Sequence, residues 1–161
     1  MNKNYVLIRD IVNKYHPDFK DDPKLQAITL KFHDVINVER LVEYTLAAVG
    51  DMEFVDEEGY DFLPCLSDSK TVSVSRTTRR GFISSVENKV GALRITVYNP
   101  HMDRVDFFYI PKDYVAEVKK ACFGKQMFKE RIMFSFSEND HYNSFEKFRV
   151  SSFEELAKAK H

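Results

Sequence analysis

The chain of 161 residues is poor in cysteine, glycine and proline and contains no tryptophan. Its two cysteines, Cys65 and Cys122, lack CxxC spacing and cannot supply the roughly four ligands of a structural zinc site. They are typical of reduced thiols in a cytoplasmic protein. No apolar run approaches the roughly 18 residues of a membrane span, and the N-terminus does not resemble a signal peptide. The sequence therefore predicts a soluble, cytoplasmic protein with no membrane association.

The chain also lacks a net charge of either sign, since its formal charge is only −1. The charges are nevertheless segregated along the sequence. Residues 34–68 contain ten acidic side chains and one basic side chain, whereas residues 70–94 contain six basic side chains and one acidic one. Acids can hold a cation, and neighbouring bases can hold a polyanion. The alternative is two solvated faces that attract each other.

Hydrophobic patterning predicts one α/β domain of the α+β type, in which helices flank a central mixed β-sheet. Strands that follow one another directly favour antiparallel or mixed pairing, and no regular βαβ alternation is present. Helical periodicity runs towards a C-terminal cap at Gly50. Ser152 and Glu155 have the spacing of a capping box at a last helix. The predicted strands are 52–55, 60–66, 69–75, 92–98, 104–110 and 131–137, with a possible last strand at 144–150, an ambiguous stretch at 77–91 and an intervening helix at 111–124.

The most informative residues are Asp61, Asp68 and Lys70. In a strand, Asp68 and Lys70 share a face because they are two residues apart, and Asp61 could reach the same point from a preceding hairpin arm. Two carboxylates suit Mg²⁺ or Mn²⁺, with water and phosphate oxygens as further ligands. The lysine could orient or deprotonate a water molecule and stabilise charge on a phosphate. The alternative is a surface salt bridge with turn residues.

This arrangement resembles the PD-(D/E)XK nuclease superfamily, in which an acid on one strand precedes an acid-x-lysine triplet on the next. The resemblance covers roughly half of the chain and implies a restriction-endonuclease-like core at 34–122. An N-terminal helical extension (1–33) and a C-terminal strand–helix extension (123–161) would complete the single domain. It also implies Asp61 and Asp68 as metal ligands, Lys70 as a catalytic residue, and a supporting glutamate from the preceding helix. Glu43 is preferred to Glu39 for that role because it lies nearer the helix end that leads into the strands.

A cluster of arginines follows this motif and predicts contacts with the phosphate backbone of DNA. Arg76, Arg79 and Arg80 lie among serines and threonines, and Arg94 follows on a clear strand. Arginine and hydroxyl side chains make most protein contacts to DNA phosphates, although an exposed basic loop would have the same composition. The sequence thus favours a Mg²⁺- or Mn²⁺-dependent endonuclease acting on DNA, and the family resemblance implies a homodimer. The alternative is a non-catalytic module that binds nucleic acid or protein through a similar sheet.

Overall fold

A computed structural model of the chain describes residues 14–15, 38–84, 86, 89–121, 131–137, 142 and 145–160. The predicted N-terminal extension, apart from residues 14 and 15, and Cys122 lie outside these residues. The secondary-structure elements of the described part are, in chain order, helix α1 (Val38–Gly50), strands β1 (Glu53–Glu57), β2 (Tyr60–Leu63), β3 (Asp68–Ser73), β4 (Arg80–Ser84), β5 (Leu93–Asn99) and β6 (Arg104–Ile110), helix α2 (Lys112–Ala121), strand β7 (Arg131–Ser135), a 3₁₀ turn (Glu146–Phe148), strand β8 (Arg149–Val150) and helix α3 (Phe153–Lys158).

The largest sheet has four strands in the order β3-β5-β6-β8. β3 runs parallel to β5, whereas β5 with β6 and β6 with β8 are antiparallel. All seven residues of β5 are buried, as expected for a strand covered on both faces. β1 pairs with β2 and β4 pairs with β7 in two separate antiparallel ribbons. The predicted mixed α+β architecture with a mixed sheet is therefore confirmed.

Two hydrophobic clusters cover the two faces of the four-stranded sheet. On one face, Leu93, Ile95 and Val97 of β5 pack with residues of β4, β7 and α2. On the other face, α1 and α3 pack together with Phe62 of β2 and Tyr109 of β6. The C-terminal segment contributes β7, β8 and α3 to these same two clusters.

Local signals in the sequence predict the end of α1 and the start of α3 correctly. α1 ends at Gly50, as the glycine predicts. Within the described residues, no helix has both the length and the hydrophobicity that a membrane span requires. At α3, the Ser152 side chain accepts a hydrogen bond from Glu155 N at 3.1 Å. The Glu155 carboxylate in turn accepts hydrogen bonds from Ser151 N and Ser151 Oγ. The capping interaction is therefore confirmed, with the return contact displaced by one residue.

The arrangement of β2 differs from the predicted hairpin. Its antiparallel partner is β1, and β2 and β3 belong to different sheets. Instead, Asp61 N and Phe62 N donate hydrogen bonds of 2.9 Å and 3.1 Å to Ser67 O, just before β3 begins. This connection holds the start of β2 beside the N-terminal end of β3, so Asp61 still reaches β3 without strand pairing.

Candidate active site

A cleft of about 610 Å³ lies between α1, the β1–β2 ribbon, the start of β3 and β4. Seven carboxylates and three cationic side chains line it, which concentrates much of the acidic segment at one place. Four of the residues predicted from the sequence are among them: Glu43, Asp61, Asp68 and Lys70. Three elements that are separate in the sequence thus bring these side chains together.

Asp61 lies at the open edge of β3. β3 is the outer strand of its sheet, and Asp68 N donates its hydrogen bond inward, to Ala92 O beside β5. Adjacent residues of a strand direct their N–H groups to opposite edges. Ser69 N accordingly points outward and donates to Asp61 Oδ2 at 2.8 Å. This contact fixes the position of one Asp61 carboxylate oxygen at the first residues of β3.

Asp68, the first residue of β3, is 2% exposed and forms ion pairs with two lysines. Lys89 Nζ lies 2.6 Å from Asp68 Oδ1, and Lys70 Nζ lies 3.4 Å from Asp68 Oδ2. Lys70 is therefore on the same face of β3 as Asp68, as the spacing predicts. Asp68 Oδ2 is buried at the cleft, and no donor among the described residues has hydrogen-bond geometry to it.

Glu43 contributes a further carboxylate from α1, and Glu39 is exposed at the same cleft. Arg40 NH1 donates to Glu43 Oε2 at 3.0 Å, and Arg40 NH2 donates to Asp56 Oδ2 at 2.5 Å. Arg40 therefore connects α1 to β1 across one end of the cleft. Of the two glutamates, Glu43 is the one that is largely buried, with 12% of its side chain exposed.

Crowding and burial perturb two of these acids. Burial raises the pKa of Glu43 to about 8, with a further contribution from the charge of Asp61 and opposition from Arg40. Burial also raises the pKa of Asp61 to about 6; the nearby Asp68 carboxylate adds to this effect, whereas the hydrogen bond from Ser69 N and the charge of Lys89 oppose it. Neighbouring acids with raised pKa values are typical of functional sites. A cation bound between such acids would lower their pKa values, because it favours the ionised carboxylates.

The donor set fits a hard divalent cation that keeps part of its water shell. No group of three or more His, Cys, Asp or Glu side chains is arranged to hold a metal ion within the described ranges. Mg²⁺, however, is commonly held by one or two carboxylates, with water and substrate phosphate completing its coordination. Asp61 and Asp68 supply two carboxylates, and Asp68 Oδ2 has no hydrogen-bond donor among the described residues. The ammonium of Lys89 already places a positive charge against Asp68.

Lys89 is the residue of this cleft that sequence reasoning missed. It belongs to the basic segment, but it is separated from Lys70 by 19 positions and has no characteristic spacing to the acids. Only 13% of its side chain is exposed. Its role depends on the chain between β4 and β5 returning to the start of β3, which no local pattern indicates.

The prediction that Arg94 contacts nucleic acid is wrong. Arg94 is 1% exposed, and its side chain lies between β5 and the end of α3. Arg94 Nε donates to Ser67 Oγ at 2.9 Å, and its terminal nitrogens donate to Leu156 O and to Ala159 O, the latter at 2.8 Å. A guanidinium near the C-terminus of a helix satisfies carbonyl groups that have no partner within the helix. Arg94 is therefore a structural residue.

Replacing Arg94 with methionine is expected to lower the free energy of unfolding by about 3 kcal/mol, because buried carbonyls lose charged donors. Urea unfolding measures this change. Arg94→Lys is the comparison and should recover only part of the loss, since one ammonium cannot reproduce the divergent contacts of a guanidinium. Unchanged stability in Arg94→Met would contradict the structural role.

Of the other three predicted arginines, Arg76 and Arg79 lie in the turn between β3 and β4, and Arg80 is the first residue of β4. Arg76 and Arg80 are exposed, and Arg79 is half-buried with a φ of 55°. Ser75 Oγ accepts hydrogen bonds from Thr77 N and Thr78 N, both at 3.3 Å, and Arg79 N donates to Ser75 O at 3.0 Å. At about 3.3 Å per residue, this turn lies roughly 20 Å from Asp68 along β3. The structure thus places the basic turn on the surface but outside the cleft.

No protein-family model matches the chain, and no curated protein is significantly similar to it in sequence.

Proposed function

We propose that this protein is a metal-dependent nuclease that hydrolyses phosphodiester bonds, with DNA as the substrate, at the cleft that contains Asp61, Asp68, Lys70 and Glu43. The observation that carries the proposal is the convergence of the Asp61 and Asp68 carboxylates with the Lys70 ammonium, which lies 3.4 Å from Asp68 Oδ2. Relatedness to the PD-(D/E)XK nucleases and a restriction-endonuclease-like core belong to the same proposal, as do a cytoplasmic location and a homodimer.

Each of these residues has a role that follows from its contacts. Asp61 and Asp68 would hold Mg²⁺ or Mn²⁺; such a cation would supply Lewis acidity and charge neutralisation for phosphoryl chemistry. Asp61 is positioned for this role by Ser69 N. Lys70 would orient the attacking water molecule and stabilise the negative charge that develops on the phosphate. Glu43 would support Asp61 from α1.

The basic turn is proposed to bind the DNA backbone beyond the cleft. Replacing Arg79 and Arg80 with alanine is expected to weaken DNA binding and to reduce the slope of log K against log salt concentration by about one to two. The reason is that each lost phosphate contact reduces counterion release by roughly 0.9 ions. Filter binding or fluorescence anisotropy at several salt concentrations measures the slope. A slope equal to that of the wild type would remove this turn from the interface.

A second candidate function is a non-catalytic binding module. The observation in its favour is that Lys70 and Lys89 both contact Asp68, so the acids are partly neutralised by the chain itself. In that case the cleft would be a polar surface for nucleic acid or a protein partner, and no turnover would occur with any cation.

A plasmid-nicking assay tests the proposed function. The wild-type protein should convert supercoiled DNA to nicked or linear DNA with Mg²⁺ or Mn²⁺, and EDTA should stop the reaction. Lys70→Ala should lose turnover and retain DNA binding, whereas Lys112→Ala removes an exposed lysine outside the cleft and should retain both. If the wild type cuts no nucleic acid with either cation, the binding module becomes the better explanation.

A further inference from the structure

Lys89 occupies an unusual position for a residue that the proposed chemistry does not require. Its ammonium is 2.6 Å from Asp68 Oδ1, and its positive charge also acts on the Asp61 carboxylate. The ammonium is therefore in direct contact with Asp68, and its charge also favours ionisation of Asp61, the other carboxylate that would hold a divalent cation. Charged hydrogen bonds of this length are strong, and burial of most of the side chain strengthens the pairing further.

The two lysines of the cleft differ in their contact with Asp68. Lys70 Nζ is farther from the carboxylate, at 3.4 Å, and 22% of its side chain is exposed, compared with 13% for Lys89. Lys70 lies on β3 itself, two residues from Asp68, whereas Lys89 lies between β4 and β5. Lys89 is thus the closer counter-ion of Asp68, and it reaches the site from a separate part of the chain.

We propose that Lys89 is an intrinsic counter-ion of Asp68, that a divalent cation bound by Asp61 and Asp68 displaces it, and that the released ammonium then binds a phosphate of the nucleic acid. This inference rests on the proposed nuclease function and adds to it a residue that couples metal binding to substrate binding. An ammonium and a divalent cation compete for the same carboxylate, since each neutralises the same charge.

This competition between Lys89 and the cation couples metal binding to nucleic-acid binding. Without nucleic acid, metal binding must break the Lys89–Asp68 pair and leave the partly buried ammonium without its counter-ion, which weakens metal affinity. With nucleic acid present, a phosphate receives the displaced ammonium, so metal binds more tightly. Linkage requires the metal to strengthen nucleic-acid binding by the same factor.

The test measures Mn²⁺ affinity by isothermal titration calorimetry for the wild type, Lys89→Met and Lys112→Met. Lys112→Met is the matched control because it makes the same change of charge at an exposed position outside the cleft. Each titration is made with the protein alone and with a DNA duplex that contains phosphorothioate linkages to slow cleavage. Circular dichroism establishes that each variant is folded.

Lys89→Met is expected to bind Mn²⁺ about ten-fold more tightly than the wild type in the absence of DNA. DNA should raise the Mn²⁺ affinity of the wild type and of Lys112→Met by about ten-fold, and that of Lys89→Met by about two-fold or less. Equal or weaker Mn²⁺ binding by Lys89→Met without DNA would overturn the proposal, as would a DNA effect as large as that of the wild type.

A second measurement requires no variant and serves if Lys89→Met does not fold. Acetic anhydride labelling with mass spectrometry reports the reactivity of each lysine in the wild-type protein. Mn²⁺ should raise labelling of Lys89 several-fold and leave Lys112 unchanged, and addition of the duplex should protect Lys89 again. Unchanged Lys89 labelling in protein shown to be saturated with Mn²⁺ would overturn the displacement.

The results also separate this inference from the function on which it rests. If the wild type binds no Mn²⁺ with or without DNA and does not cut, both fail. If the wild type binds Mn²⁺ and cuts DNA, but Lys89→Met shows neither tighter binding nor reduced coupling, the nuclease remains and the role of Lys89 is overturned.

Discussion

Asp68→Asn is expected to reduce metal-dependent DNA cleavage by about a thousand-fold or more. Loss of a ligand carboxylate removes several kcal/mol of the charge stabilisation that a cation supplies, and about 1.4 kcal/mol corresponds to a factor of ten in rate. The buried Asp68 Oδ2, which has no hydrogen-bond donor among the described residues, becomes either an amide N–H₂ group that repels a cation or a weaker neutral ligand. Single-turnover cleavage of a labelled duplex measures the effect.

Stability shows whether that loss comes from the site or from unfolding. Because Asp68 forms ion pairs with Lys89 and Lys70, Asp68→Asn is expected to lower the free energy of unfolding by about 1–3 kcal/mol. The double variant Asp68→Asn with Lys89→Met should recover part of that loss and remain inactive. Asp113→Asn, an exposed acid on α2, should retain full activity.

Cleavage by folded Asp68→Asn at a rate within ten-fold of the wild type would contradict the proposed metal ligand. Complete unfolding of both the single and the double variant would instead make Asp68 a structural residue of β3.

Glu43→Gln is expected to stabilise the protein at alkaline pH by an amount on the order of 4 kcal/mol. The pKa of Glu43 is raised from its ordinary value of 4.5 to about 8 by burial and by the charge of Asp61. Between these two values the folded state binds more protons than the unfolded state, so stability falls as pH rises. The contribution of the protonated carboxyl is present in full below about pH 4.5 and is lost as pH rises through 8. Glutamine carries no proton that can be lost in this range.

The measurement is urea unfolding of the wild type and Glu43→Gln at pH 4.5 and at pH 8.5. The two proteins should have similar stability at the lower pH, and the variant should be more stable at the higher pH. Glu117→Gln is the matched control: Glu117 pairs with Lys147 on the surface, and 57% of its side chain is exposed. Its effect should stay below about 1 kcal/mol. A pH-independent difference between the wild type and Glu43→Gln would show that the Glu43 carboxyl is not perturbed.

Much of the secondary structure was predictable because its determinants are local. The strand at 104–110, the end of α1 at Gly50 and the Ser152 cap all follow from alternation, glycine placement and capping spacing. The predicted last strand at 144–150 is wrong over most of its length, since it forms a 3₁₀ turn and a two-residue strand. Its apolar residues include Phe145, which stacks on Phe134 at 3.7 Å between ring centroids. Tertiary packing therefore outweighed its strand propensity.

Some features of the candidate site were likewise predictable from local sequence, whereas others depend on tertiary packing. Strand alternation alone determined that Asp68 and Lys70 share a face, since side chains two residues apart in any strand do so. The same alternation could not show which residues of the basic segment face the surface. Arg94 has the sequence environment of an exposed basic residue, yet α3 covers it and accepts its hydrogen bonds. A side chain's exposure depends on which element packs over its strand, and that element lies some 60 residues further along the chain.

The sequence by itself determined the class of fold, the end of α1 at Gly50, the Ser152 cap of α3 and the group of acids and lysine on which a nuclease hypothesis depends. Only the tertiary structure decided that Asp61 reaches β3 through Ser69 N rather than through a hairpin, that Glu43 is more buried than Glu39, and that Lys89 lies closer to Asp68 than Lys70 does. The physical reason is that periodicity and capping act within a few residues, whereas these contacts join segments whose approach is set by burial of two apolar clusters on opposite faces of one sheet.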